Sequence, residues 1–322
     1  MKILIVKLSS LGDVVHAMPA VQDLLSAHPQ ARIDWVVERG FAPLAQRCKG
    51  VRRVIPCELR RWRRSPLSRE TRAQWRAFRD DLHREAYDAV IDLQGLTKSA
   101  LVARMARLAP GGKRYAMANG TEGSSYEVPT RWVADVAVPL EPHVHAVQRS
   151  REVCAHAFGY VPRGAPRFGL EPAAPPEPQD TVALIHGTSR EDKCWPETHW
   201  VALAWRLVDA GHAVALPHGS EEERQRSERI AQIVGARAQV WPRLALDALT
   251  DRLAGCAGAI GVDSGLSHIA VALDLPHVQI YNFDTAWRTG PVGAPRQRSV
   301  YATPTPEVDD VWQAWRAVTI PR

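Results

Sequence analysis

Four stretches of the 322-residue chain concentrate groups able to do chemistry. The first is Ser9-Ser10-Leu11-Gly12-Asp13, directly after the apolar run Ile3 to Leu8. Gly12 permits a close backbone approach. Asp13, where a helix must begin, either satisfies free N–H groups at that end or faces a cleft as a general base. The second is Val262-Asp263-Ser264-Gly265-Leu266-Ser267-His268. Small residues at a helix start expose N–H groups, and with the dipole they suit an anion such as pyrophosphate. His268 is either part of that site or a satisfied histidine on the first turn. The third is His186-Gly187-Thr188-Ser189-Arg190-Glu191-Asp192-Lys193-Cys194-Trp195-Pro196. Thr188, Ser189 and Lys193 offer hydroxyl and ammonium donors to a phosphate, unless this is an ordinary polar loop. Glu221-Glu222-Glu223 opens another helix, where acids suit the dipole and one could hold ribose hydroxyls.

The fourth stretch is basic. Residues 52–79 hold ten arginines against Glu58 and Glu70, a local excess of eight positive charges. The whole chain carries only +6, so the remainder sums to about −2. Arg60-Arg61-Trp62-Arg63-Arg64 is its densest part. Guanidinium forks grip phosphates and carboxylates. An uncompensated run points to a polyanionic partner, whether nucleic acid, an anionic membrane surface or a multiply charged substrate, rather than to a merely solvated face. Lys98, in Gln94-Gly95-Leu96-Thr97-Lys98, belongs on the same rim as Asp13.

Positioning these groups requires alternating strands and helices. Strands are expected at Ile3 to Leu8, Arg32 to Val37, Ala89 to Asp92, Val182 to His186, Ala213 to Pro217, Ala259 to Val262 and Pro276 to Tyr281. Helices are expected at Val14 to Ala27, Glu70 to Glu85, Pro196 to Ala210, Glu221 to Val234 and Leu246 to Ala254. The alternation means βαβ units with parallel sheets. Glu171-Pro172-Ala173-Ala174-Pro175-Pro176-Glu177-Pro178 reads as a semi-rigid linker between two α/β domains, with a new strand at Thr181. Thr305-Pro306 should open a last helix whose Val308, Val311, Trp312, Trp315 and Val318 share one buried face. The hydrophobic fraction of 45% and charged fraction of 24% are those of a soluble globular chain. No window is apolar enough for a membrane span, and the N-terminus reads as a strand rather than a signal peptide. Five scattered cysteines (48, 57, 154, 194 and 256) fit reduced thiols better than disulfides or a zinc site.

Together these residues resemble the lipopolysaccharide heptosyltransferases of glycosyltransferase family 9, in their type I branch. The resemblance is carried by Lys7 to His16, Asp34-Trp35-Val36-Val37-Glu38, Arg60 to Arg64, Asp92 to Ala100, Asp192 to Pro196 and Val262 to His268. It runs in order from the first strand to about residue 281. It implies a GT-B fold, two Rossmann-like domains facing across a cleft: 1–170 for the acceptor and 181–305 for the donor, joined by linker 171–180, with helix 306–322 near the junction. It implies inverting transfer of heptose from ADP-L-glycero-β-D-manno-heptose to the inner Kdo of Kdo2-lipid A, in Gram-negative lipopolysaccharide core biosynthesis, without an obligatory metal. Asp13 takes the role of base. Thr188, Ser189, Lys193, Glu221, Asp263, Ser264, Gly265 and His268 take donor contacts, with Glu222 an alternative to Glu221. Ser10, Gly12, Arg60, Arg61, Arg63, Arg64 and Lys98 fall to the acceptor. The acceptor implies a cytoplasmic enzyme in peripheral contact with the anionic inner-membrane face, and no nucleic acid. A related heptosyltransferase using an already heptosylated acceptor and a non-enzymatic polyanion binder are the competing readings. After Tyr281 the chain departs from the family's Gly-Pro-Thr-Asp-Pro type run, having Asn282-Phe283-Asp284-Thr285-Ala286. Ser264 replaces a common threonine and keeps the hydroxyl.

Overall fold

Ile3, Leu4, Ile5 and Val6 are all fully buried. A strand apolar on both faces must lie inside a sheet, with helices covering both sides. The structure, a computed structural model describing residues 1–319, shows that arrangement twice. The chain divides into two units between Leu170 and Glu171.

Unit 1 runs β1 (Lys2–Val6), α1 (Leu11–Ala27), β2 (Arg32–Glu38), α2 (Ala42–Gln46), β3 (Val51–Cys57), α3 (Leu59–Arg64) and α4 (Arg69–Leu82). It continues β4 (Tyr87–Asp92), α5 (Thr97–Met105), β5 (Leu108–Met117), α6 (Pro129–Val133), β6 (Val136–Val138) and α7 (Ala146–Phe158). Its six strands are parallel in the order β3-β2-β1-β4-β5-β6.

Unit 2 runs β7 (Gln179–Ile185), α8 (Glu197–Asp209), β8 (Ala213–Leu216), α9 (Glu221–Val234), β9 (Ala238–Val240) and α10 (Leu246–Ala254). It ends with β10 (Cys256–Val262), α11 (Gly265–Ala272), β11 (His277–Tyr281), α12 (Ala286–Thr289), β12 (Gln297–Tyr301) and α13 (Val308–Thr319). Its parallel order is β12-β11-β10-β7-β8-β9. Counted from its own first strand, this repeats the order of unit 1. Each unit is a doubly wound α/β fold, and each reverses its winding between its first and fourth strands. Ligands in such sheets gather at the carboxyl ends of the strands at that reversal.

The linker and the last helix differ from expectation. β7 begins at Gln179, inside the expected linker, because Gln179 pairs with Cys256. The last helix begins at Val308 rather than at Thr305-Pro306. The Thr305 hydroxyl is spent on Asn282 Oδ1 (2.7 Å), and the Pro306 carbonyl accepts from Trp195 Nε1 (2.8 Å), so neither serves as a helix cap. α13 packs on α8, β11 and β12 of its own unit. Val311, Trp315 and Val318 are buried there, with Val308 and Trp312 alongside. Residues 320–322 of the expected final helix lie outside the described residues.

Candidate active site

In unit 1 the two strands flanking the reversal are β1 and β4, and the loops leaving them interlock. Asp13 is the third residue of α1. Its Oδ2 accepts from the Ser10 backbone N–H (3.0 Å) and the Ser10 hydroxyl (2.8 Å). Helix capping is therefore real. Its Oδ1 faces two cations, Lys7 Nζ at 3.5 Å and Arg149 Nη2 of α7 at 3.7 Å. Both cations are nearly closed off from water, at 2% and 7% exposure. Burial would raise the Asp13 carboxyl. Lys7, the Ser10 donors and His16 outweigh that and hold it below the usual carboxylate range. Asp13 nevertheless keeps about a third of its side chain exposed (35%).

The surrounding groups fix that loop. Gln94 Oε1 accepts from the N–H groups of Leu8 (3.1 Å) and Ser9 (3.0 Å). Lys98 Nζ reaches Ser9 Oγ (3.2 Å), placing Lys98 beside the loop that carries Asp13. Trp35 Nε1 donates to the Lys7 carbonyl (3.1 Å). Gly95 turns with φ +76, a left-handed conformation that favours glycine over any other residue. Asp92 closes the base of the loop, accepting from Gln94 N, Gly95 N and Ser99 Oγ. Burial still pushes its carboxyl up to about 6.

The arginine block divides in two. Arg52 and Arg53 lie on β3 and belong to the fold, not to a binding surface. They pair with the fully buried Asp34 of β2 at 2.9 and 3.0 Å. Arg60, Arg61, Arg63 and Arg64 are all exposed on α3 while Trp62 anchors the helix in the core. Arg61 is engaged by Glu58 (3.6 Å) and Glu70 (2.5 Å). Glu38, at the end of β2, feels both Arg60 and Lys98, so the head of α3 adjoins the Asp13 rim.

In unit 2 the corresponding strands are β7 and β10. Their loops are joined by Asp263, which is only 5% exposed. Its Oδ2 binds Lys193 Nζ at 2.6 Å. Its Oδ1 lies 3.4 Å from His268 Nε2, 3.4 Å from Gln279 Nε2 and 3.3 Å from Thr289 Oγ1. Thr188 Oγ1 donates to its carbonyl (3.2 Å). Burial pushes the Asp263 carboxyl up, and His268 with Lys193 more than reverses it, leaving it below the usual range. Beside this knot Ser264 caps α11 by accepting from Ser267 N (3.5 Å), and Gly265 opens the helix. Ser189 is exposed.

Glu221 is exposed and tied to Arg224 (2.5 Å) and Gln225 (3.1 Å). Glu222 is exposed as well. It is Glu223 that turns towards the β7 loop. Its Oε2 accepts from Gly219 N (2.7 Å), and a Cβ on Gly187 would come within 2.5 Å of its carboxylate. The divergent segment after Tyr281 is also bound in. Asn282 Nδ2 donates to the carbonyls of Asp192 and Cys194 (3.0 Å each), on either side of Lys193.

The sequence reading gave no role to Lys7, Arg149 or Thr289, named Asn282 only as part of a divergent loop, and within Glu221-Glu222-Glu223 preferred Glu221 or Glu222 to Glu223. The Ser220-x-x-Glu223 spacing of a capping box was a usable signal for Glu223. Nothing local marks Arg149, which reaches Asp13 from a helix far along the chain. Among the described residues no helix is long and apolar enough to cross a membrane, and no three His, Cys, Asp or Glu side chains converge as metal ligands. The five cysteines are free.

Both units thus gather their polar side chains where their winding reverses, and that placement can be compared with known proteins. Residues 75–311 match the family model Glycosyltransferase family 9 (heptosyltransferase). The chain belongs to this family. Its sequence is 38% identical over 290 residues to Lipopolysaccharide heptosyltransferase 1 of Escherichia coli (strain K12), covering 87% of this chain and 88% of that one. Against Lipopolysaccharide heptosyltransferase 2 of the same strain the identity is 26% over 308 residues, covering 87% and 82%. Among family 9 structures, E. coli heptosyltransferase WaaC with ADP superposes with a TM-score of 0.87 at 33% identity, over 99% of this chain and 100% of that one. WaaC with ADP-2-deoxy-2-fluoro heptose gives a TM-score of 0.82 at 34% identity, covering 97% and 98%.

Proposed function

We propose that the chain transfers L-glycero-D-manno-heptose from ADP-heptose to the inner Kdo of Kdo2-lipid A, by a single displacement that inverts the anomeric centre. The observation that carries this reading is the pairing of site types. One reversal point offers a part-exposed carboxylate among cations. The other offers a helix N-terminus beside a fixed lysine. The similarity to a type 1 enzyme, well above that to a type 2 enzyme, supports the acceptor assignment. A relative solved with ADP and with a fluorinated ADP-heptose supports the donor.

The attacking Kdo oxygen forms its bond to the anomeric carbon as the bond from that carbon to the diphosphate oxygen breaks. The electron pair leaves with ADP. Lys193, the hydroxyls of Thr188 and Ser189, and the N–H groups at Ser264 and Gly265 stabilise that departing charge. These groups supply the neutralisation, so the reading assigns no obligatory metal. Asp263 and His268 hold Lys193 in place. Glu223, better placed than Glu221 beside the β7 loop, takes the ribose hydroxyls. Asp13 receives the proton. It is a weak base, yet the attacking oxygen becomes strongly acidic once its new bond forms. A carboxylate that is always ionised is then sufficient.

Ser10, Gly12, Lys98 and the α3 arginines Arg60, Arg61, Arg63 and Arg64 take the acceptor's carboxylates and phosphates. Because the acceptor is a lipid, the enzyme acts at the cytoplasmic face of the inner membrane, drawn there by its arginines at roughly 1 kcal/mol each.

The test is sugar transfer by the purified protein from ADP-heptose to Kdo2-lipid A and, separately, to the already heptosylated acceptor. Product from the first alone is expected. Product from the second alone would move the enzyme one step along the same assembly, and product from neither would remove the assignment.

A further inference from the structure

Unit 1 carries a groove of about 630 Å³ on α3 and α4, lined by Trp62, Pro66, Thr71, Arg72, Trp75 and Arg76. Its floor is aromatic. Trp62 and Trp75 meet edge to face at 5.5 Å, and Phe78 lies 5.5 and 5.9 Å from them. Trp62 Nε1 donates to Gln74 Oε1 (2.8 Å), so the polar edge of the indole is satisfied within the protein. Its rim is cationic. Arg69, Arg72, Arg76 and Arg79 recur along α4 at spacings of three and four, which puts them in one stripe. Thr71, Phe78 and Leu82 face the core instead. Arg79 is shared with Asp80 (3.5 Å), whereas Arg72 and Arg76 have no carboxylate partner among the described residues. Between the two helices Leu67 stands 78% exposed, the most exposed large apolar side chain described in the protein.

An apolar slot, a guanidinium rim and a projecting leucine make up the chemistry of an anionic bilayer surface. Phosphates meet the guanidinium groups, while leucine enters the acyl boundary and the indoles line a slot for an acyl chain. A water-soluble polyanion would account for the arginines and leave Leu67 in water. We propose that the α3–α4 hairpin is a membrane-docking element: Leu67 enters the leaflet, and the Trp62–Trp75 groove takes an acyl chain of an anionic phospholipid whose phosphate lies against Arg72 and Arg76. This rests on the membrane contact in the function proposed above and assigns it to residues outside the transfer machinery.

The test is co-sedimentation of the full chain with phosphatidylglycerol-containing vesicles and with phosphatidylcholine vesicles, in the absence of donor and acceptor. The wild type is expected to bind the anionic vesicles and to leave the neutral ones. Each arginine at such a surface is worth a factor of roughly five, so Arg72→Ala with Arg76→Ala should weaken binding roughly thirtyfold. Leu67→Ala should weaken it roughly tenfold. All three side chains are exposed, so the variants should fold, and their transfer to a deacylated, water-soluble acceptor should stay within twofold of wild type. Variants that bind vesicles like the wild type would overturn the proposal, as would a wild type indifferent to anionic vesicles. Failure of the transfer reaction with every acceptor would instead count against the proposed function, since vesicle binding is read without it.

Discussion

Asp13 and Asp263 occupy equivalent places, just beyond strands that flank the winding reversal in two sheets of the same order. Their surroundings differ. Asp263 is closed in by Lys193, His268, Gln279 and Thr289 on its two oxygens and is almost inaccessible. Asp13 has its Ser10 contacts on one oxygen and two distant cations, at 3.5 and 3.7 Å, on the other, with an open edge. One topology thus holds two carboxylates in different states. In the function proposed above, the one that takes a proton is the one with a loosely held, exposed oxygen, and the one that holds a lysine is saturated.

The largest effect that could break this contrast is at Asp13. Asp13→Ala should lower transfer by roughly 10²–10⁴-fold while ADP binding is retained. Near-normal turnover would remove Asp13 from the chemistry and make the two carboxylates alike. Next comes Lys193. Lys193→Ala should weaken ADP binding by roughly 10- to 100-fold in calorimetry, the range for a hydrogen bond to a charged group. Asp263→Asn should weaken it only severalfold, because the lysine remains but loses its tether.

The units should also part company in acid. His186 and His277 of unit 2 are buried, and burial pulls them down to about 4 and about 3 from an ordinary 6.5. The unfolded chain then binds more protons below pH 6.5, so stability falls as pH falls, by up to roughly 1.4 kcal/mol per pH unit for each histidine. In unit 1 Asp92 is pushed up to about 6 from 3.8. There the folded chain binds more protons between those values, and stability rises as pH falls through 6. Hydrogen exchange at pH 7 and pH 5 should show unit 2 loosening first. Equal loosening would mean the two cores are electrostatically alike.

The subtlest test is Lys7→Met. It removes the nearest cation from Asp13, so the carboxyl should rise and an acid limb should enter the pH profile of kcat/KM where the wild type has none. An unchanged profile would show that Arg149 and Ser10 suffice.

How much of this was legible follows from burial. The strands read correctly from sequence, β1, β2, β4, β7, β8, β10 and β11, lie towards the middle of their sheets and appear as apolar runs. The unread β3, β6, β9 and β12 are sheet edges, and β5 lies next to an edge. Their sequences, such as Gln297-Arg298-Ser299-Val300-Tyr301, are half polar because one flank meets water. The loops at the reversal points were legible as motifs because glycine, serine and aspartate cluster there. Lys7 was read only as the first residue of a family motif, with no role of its own. Arg52 and Arg53 were counted as surface charge, although Arg53 pairs in register with Asp34 across β2 and β3. Such pairings depend on which strands are neighbours, and that is set by long-range topology rather than by spacing along the chain.

Asn282 stands where the family often begins a different run, and its amide ties the carbonyls flanking Lys193 to the hydroxyl of Thr305. Grafting the common family run into this chain would unhook the lysine segment from the approach to the final helix, and a successful graft would have to bring along a new partner at position 305. The Lys193 segment, Asn282 and Thr305, far apart along the chain, are one three-way joint, and a change at any arm is felt at the other two.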